Sequence, residues 1–188
     1  MCRLFDKEVC ICPSCQYELQ PRFISFKVDG YNALAFYEYS PFIKNIIYLY
    51  KGCFDYEMKD VFLNLFIKEI KRLYKGYTII PAPSYKQDDE NRGFNHIIEV
   101  FNQMGLTILP IIDKVAHFKQ AENSAKKRRE IGKYLKFNAQ PDLSKTKVLI
   151  VDDIYTTGST IKAIVNMVEK LNPRSIKVLV LAKTKPKQ

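Results

Sequence analysis

A chain of 188 residues is long enough for one domain with a buried core, and a hydrophobic content of 47% excludes a disordered polymer. Its formal charge of +10 suits a phosphorylated or polyanionic partner, although a solvated basic surface meets the same number. No run of about 18 uncharged apolar residues occurs, so no membrane span is expected.

Residues 1–9 (MCRLFDKEV) lack the apolar centre of a secretory signal, which points to the cytoplasm. There the five cysteines are expected to be reduced thiols or metal ligands rather than disulfides. Residues 2–15 are cysteine-dense and read as a separate module, so two units are expected, 1–22 and 23–188. The aromatic stretch 32–39 (NALAFYEY) reads as extended. Ser40 and Pro41 form an N-cap with proline at the first helical position. Phe42, Ile43, Ile46, Ile47 and Tyr50 then repeat at helical spacing, and a second helix is expected over Val61, Phe62, Leu65, Phe66, Ile70 and Leu73. Cys53, just past the first of these helices, is expected to be a packing residue.

Residues 77–80 read as a short strand and 81–85 (PAPSY) as a loop. After a charged stretch, Ile97, Ile98, Phe101 and Met104 form a helical stripe. A strand interrupted at Pro110 is expected over 106–112, and 117–132 is polar and very basic. Residues 148–151 form the continuous apolar run of a buried parallel strand. Ile161, Ile164, Val165, Val168 and Leu171 mark the next helix, and 176–181 a last strand. Strand, helix and strand in this order make a βαβ unit, hence an α/β fold with a mainly parallel sheet flanked by helices.

The chemistry concentrates in residues 148–160 (VLIVDDIYTTGST). Ligands of open α/β sheets bind beyond the carboxyl ends of the strands. Asp152 and Asp153 follow the apolar run, and Thr156, Thr157, Gly158, Ser159 and Thr160 lead into a helix. The glycine allows a tight turn, and hydroxyls and free N–H groups at a helix start suit a phosphate. The carboxylates would repel that phosphate, so they should face vicinal ribose hydroxyls, for which ionised carboxylates are strong acceptors. They could also oppose positive charge developing on the sugar ring. An N-capped helix after a buried strand, or an acidic pair holding a metal, are the plainer readings. No Walker-type lysine is present, which argues against a P-loop NTPase.

Residues 148–160 resemble the PRPP-binding signature of type I phosphoribosyltransferases. Residues 91–95 (NRGFN), soon after 80–84 (IPAPS), resemble the RGFNQ segment of the ComF family, with His96 where that family often has glutamine. Lys119 and Gln120, followed by 126–130 (KKRRE), are similar to a further glutamine- and arginine-bearing segment of that family. The resemblance implies a type I phosphoribosyltransferase-like fold. It puts ribose hydroxyls on Asp152 and Asp153, the 5′-phosphate on Thr156, Thr157, Gly158, Ser159 and Thr160, and pyrophosphate at a loop of Pro83, Ser84, Tyr85 and Lys86. It also implies Mg²⁺ bound with PRPP and a lid at residues 125–134. Arg92, Lys126, Lys127, Arg128 and Arg129 are candidate anion contacts, the lysines and arginines of 126–129 being equally readable as a solvated basic helix. His96 and His117 read as structural or exposed.

The same resemblance implies an N-terminal zinc-ribbon-like module. Cys12 and Cys15 supply one C-x-x-C knuckle. Cys2 and Cys10 would complete four thiolates, with an unusual C-x-C spacing between Cys10 and Cys12. A degenerate module with free thiols is the alternative. The family association is with natural transformation and DNA uptake, which implies single-stranded DNA and a ComFA-like ATPase as partners. An active phosphoribosyltransferase acting on a nucleobase or related acceptor remains the second reading.

Overall fold

The computed structural model describes residues 11–115 and 134–185. A five-stranded sheet is ordered β1 (Ile24–Val28), β2 (Tyr31–Glu38), β7 (Ser175–Lys183), β6 (Lys147–Tyr155), β3 (Tyr77–Pro81). The β1–β2 pairing is antiparallel and the other pairings are parallel. The expected α/β architecture is therefore present. Its centre, Val148, Leu149, Ile150 and Val151 of β6, is fully buried, as a strand covered on both faces must be. Each such side chain contributes about 1.5–3 kcal/mol by leaving water.

The helix α2 (Pro41–Gly52) starts as its sequence dictates. Pro41 opens the first turn, and Ser40 Oγ accepts the Ile43 N–H at 3.2 Å. Its buried face is Ile43, Ile46, Ile47 and Tyr50. The helix α6 (Ser159–Glu169) buries Ile161, Ile164, Val165 and Val168, and α5 (His96–Asn102) buries Ile97, Val100 and Phe101. All of these residues join one hydrophobic cluster with the sheet, and Leu19, just after α1 (Pro13–Glu18), belongs to it.

Several expectations are corrected. The expected helix over 61–73 breaks into 3₁₀ turns at Tyr56–Val61 and Asn64–Phe66, then α3 (Ile67–Leu73). Val61, Phe62 and Leu63 are buried in succession, and three consecutive residues cannot share one face of an α-helix. The charged stretch is a helix, α4 (Lys86–Arg92), closed by Gly93 at φ 82°. The expected strand 106–112 reduces to a single parallel bridge from Ile108 to Ile79, because Pro110 has no N–H to extend a ladder. Instead β4 (Ile112–Lys114) pairs with β5 (Leu135–Phe137) in a separate small sheet. The first strand, β1, was not anticipated. Asp29 and Gly30 turn it into β2 with φ of 47° and 89°, the paired left-handed conformation of a tight hairpin. Cys53 is exposed rather than packed.

Candidate functional site

Strand β6 runs on through the acidic pair to Tyr155, with Asp152 opposite Val180 and Ile154 opposite Ala182 of β7. The carboxylates therefore stand on a rigid strand end rather than in a loop. Asp152 is 9% exposed, and its Oδ1 accepts the Asp153 N–H at 2.8 Å. Asp153 Oδ1 accepts the Ile154 N–H at 2.7 Å.

The second oxygen of Asp153 has partners that the sequence did not reveal. Lys51 Nζ, from the last turn of α2, donates to Asp153 Oδ2 at 2.6 Å. His96 Nε2, from the first turn of α5, lies 3.3 Å from the same oxygen, though too poorly aligned for a hydrogen bond. Arg92 Nη1 sits 3.2 Å from His96 Nδ1, and Arg92 Nε donates to the Lys51 carbonyl at 3.1 Å. An arginine can only donate, so Nδ1 accepts and the imidazole proton resides on Nε2, facing Asp153. Asp89 completes the network by accepting from Arg92 Nη1 at 2.9 Å and from Asn95 Nδ2 at 2.7 Å. Asn95 in turn caps α5 through the Ile97 and Ile98 N–H groups.

These surroundings separate the two carboxyls. Burial and the neighbouring Asp153 charge hold Asp152 well above the usual carboxylate range. Asp153 is also buried, but the Lys51 ammonium and the His96 hydrogen outweigh that and hold it well below. Burial pushes His96 down, which keeps the imidazole neutral. The pair thus combines one carboxyl that favours its proton with one that stays ionised.

Beyond the acids the chain turns at Gly158, φ 75°, and enters α6. A Cβ there would collide with the Tyr155 ring, so only glycine permits this approach. Thr156 and Thr157 are exposed, while Ser159 and Thr160 form the first turn. Thr157 Oγ1 and Ser159 Oγ lie 2.9 Å apart, and no side chain caps the helix start. The N-cap is a glycine, so it offers no side-chain acceptor to the N–H donors of the first turn.

Pro83, Ser84 and Tyr85 lie between β3 and α4, and Lys86 is the first residue of α4. Pro83, Ser84 and Lys86 line a cavity of about 330 Å³, together with Lys114 of β4 and Lys136 of β5. Burial, and then the Lys51 charge, lower the Lys114 ammonium, so it stands in a partly desolvated place. Arg92 does not present itself as a surface anion contact: its side chain is 5% exposed and its donors serve Asp89, Lys51 and His96. Lys126, Lys127, Arg128, Arg129 and His117 lie outside the described residues, as do Cys2 and Cys10. Cys12 occupies the N-cap position of α1 without a side-chain cap and Cys15 sits in the first turn, with Cys12 Sγ 3.0 Å from Ser14 Oγ. Among the described residues no three His, Cys, Asp or Glu side chains converge to hold a metal.

The phosphoribosyl transferase domain model matches residues 91–188. The chain belongs to this family. Among curated family relatives it is similar to Competence protein ComFC of Streptococcus pneumoniae, 27% identical over 82% of this chain and 69% of that protein. It is also 30% identical to Competence protein F of Haemophilus influenzae, over 64% of this chain and 58% of that protein. The resemblance to ComF proteins is thus borne out. Among solved phosphoribosyltransferases, the purine enzyme of Pyrococcus horikoshii is 20% identical over 67% of this chain and 72% of its own, with a TM-score of 0.41. No described helix is long and apolar enough to cross a membrane.

Proposed function

We propose that this ComF-like protein binds PRPP or a related phosphoribosyl ligand and acts in DNA uptake during natural transformation. One observation carries the reading. The Asp152–Asp153 pair at the end of β6 is joined, within one turn, to the uncapped start of α6 at Gly158. A phosphate on that helix start puts its ribose over the carboxylates, which accept from vicinal hydroxyls. The lysines of the 330 Å³ cavity suit the pyrophosphate group.

Mg²⁺ fits this arrangement as a companion of the ligand. It is held chiefly by phosphate oxygens and waters, so two carboxylates are donors enough, and it supplies charge neutralisation on the pyrophosphate. A structural Zn²⁺ would use Cys12 and Cys15 together with Cys2 and Cys10. The first two lie together at the start of α1. The charge of +10 supports single-stranded DNA as a partner, and the ComF relationship supports a ComFA-like ATPase and a cytoplasmic setting.

A second reading, an active phosphoribosyltransferase on a nucleobase or related acceptor, is favoured by the opposed ionisation of Asp152 and Asp153. Calorimetric titration with PRPP and Mg²⁺ tests the shared site. Binding should be saturable, and Asp152→Asn combined with Asp153→Asn should abolish it. An unchanged titration in the double variant would sink the assignment. DNA affinity should fall steeply with salt, and a flat response would remove the electrostatic account.

A further inference from the structure

Two carboxyls side by side at a strand end offer a hard divalent cation the oxygen ligands it prefers. Here most of those oxygens are already taken by hydrogens. Asp153 Oδ2 meets Lys51 Nζ at 2.6 Å and His96 Nε2 at 3.3 Å, and Asp153 Oδ1 accepts the Ile154 N–H at 2.7 Å. Asp152 Oδ1 accepts the Asp153 N–H at 2.8 Å. Among the described residues only Asp152 Oδ2, of the four oxygens, receives no donor. A Mg²⁺ ion stands about 2 Å from each oxygen it binds, so an ion on Asp153 Oδ2 would meet the ammonium and the imidazole hydrogen head-on. The ammonium comes from the last turn of α2, ahead of residues 91–188 that the phosphoribosyl transferase family shares with this chain. The cation at the acidic pair is therefore supplied from outside the shared domain.

We infer that Lys51 is the resident counter-ion of the acidic pair, and that its ammonium keeps a free divalent cation off Asp153 until a phosphorylated ligand brings one. The exclusion stands on the contacts around Asp153; only the ligand that lifts it rests on the phosphoribose reading. Lysine suits an exchangeable counter-ion, because it is a point charge on a flexible four-carbon stem. Lys51 has room to move, since it lines a cavity of about 290 Å³ that the Asp88 carboxylate also lines. An arriving pyrophosphate places negative charge between ammonium and metal ion, which removes their mutual repulsion. Lys51 thus positions and reserves Asp153 without itself being a ligand of the cation.

The probe is Mn²⁺, a hard oxygen-seeking stand-in for Mg²⁺, titrated alone against the full chain and followed by its electron paramagnetic resonance signal. Lys51→Met should bind Mn²⁺ about tenfold or more tightly than the parent, and Lys51→Gln, equally uncharged, should do the same. Adding Asp152→Asn and Asp153→Asn to Lys51→Met should remove the gain. Lys51→Arg keeps a cation and should exclude Mn²⁺ as the parent does. Mn²⁺ should also raise the melting temperature of Lys51→Met and leave that of the parent unchanged. A purely structural Lys51 would give one Mn²⁺ affinity in all of these proteins, and that result overturns the inference. Saturable Mn²⁺ binding to the parent alone, abolished by the double asparagine substitution, overturns it whether or not Lys51→Met folds. If Mn²⁺ is excluded as expected but PRPP with Mg²⁺ does not bind the parent, the phosphoribose reading fails and the counter-ion role stands. PRPP bound by the parent, with Mn²⁺ affinity indifferent to Lys51→Met, means the reverse.

Discussion

Lys51 Nζ and Asp153 Oδ2 lie 2.6 Å apart although the two residues are 102 positions apart in the chain. The contact ties the last turn of α2 to the end of β6 and compensates a carboxylate that is only 14% exposed. Lys51→Met keeps the aliphatic stem and removes the charge, leaving Asp153 without its cation. Breaking a buried pair is costly, but the Lys51 side chain is 42% exposed and partly screened, so the expected loss is about 1–2 kcal/mol. Asp153 is depressed in the folded state, so its contribution is present above its unfolded value of 3.8 and fades as pH falls through the lower folded value. Urea unfolding at pH 7 and pH 3 checks this: the gap between variant and parent should shrink at pH 3.

Asp152 carries the opposite sign. Its carboxyl is raised above 3.8 by burial and by Asp153, so the folded protein keeps a proton that the unfolded chain has released. Stability therefore declines as pH rises from 3.8 through the folded value. Asp152→Asn keeps an oxygen to accept the Asp153 N–H and removes the titration. It should stabilise the protein at pH 7 by about 1 kcal/mol or more, roughly 2–4 °C in Tm, with no gain below pH 3.8. Melting curves from pH 3.5 to 8 that run parallel for the two proteins would refute the assignment. Loss of PRPP affinity in the same variant would show a site kept at a cost in stability.

His96 is buried and neutral, its titration pushed below 6.5. Between that lower folded value and 6.5 the unfolded chain binds the proton and the folded chain does not. Stability is therefore lost as pH falls below 6.5. Glutamine can accept from Arg92 as Nδ1 does and turn an amide hydrogen toward Asp153, without titrating. His96→Gln should cost little at pH 8 and flatten the acid limb between pH 6.5 and 5. His96→Leu removes both contacts and should cost about 1–3 kcal/mol at pH 8, a gap that narrows below pH 6.5 because leucine does not titrate. Denaturant midpoints across this range separate the two variants.

The sheet centre and the turn into α6 were legible because their signals are local. The apolar run 148–151, the acids and Gly158 are contiguous, and α2 announces itself through Ser40 and Pro41. The Lys51–Asp153–His96–Arg92 network was not legible, because its members come from α2, α4, α5 and β6 and carry no mutual spacing. Arg92 reads as a candidate anion contact for the same reason: nothing in the sequence marks Asp89, Lys51 and His96 as the partners that occupy its donors. The Asp29–Gly30 pair is itself a local hairpin signal, and it is the turn that pairs β1 with β2. Helix α4 has no buried residue and hence no periodic stripe to read.

Gly158 allows the two requirements of the turn into α6 to be separated. Gly30 and Gly158 both have positive φ, 89° and 75°, but a Cβ at Gly30 meets nothing within 4 Å whereas one at Gly158 strikes the Tyr155 ring. Gly30→Ala should therefore cost only the backbone strain, about 1 kcal/mol. Gly158→Ala adds a collision with a ring already packed at 4.7 Å against Phe26, which limits its retreat, and should cost about 2–4 kcal/mol. Relief of that collision moves the turn that presents the α6 N–H groups, so phosphate affinity should fall with stability. In the double variant Tyr155→Ala with Gly158→Ala the collision is gone. If steric contact is the cause, the added cost of Gly158→Ala in the Tyr155→Ala background should return to the value measured at Gly30. An undiminished cost in that background would assign the requirement at Gly158 to its backbone angle alone.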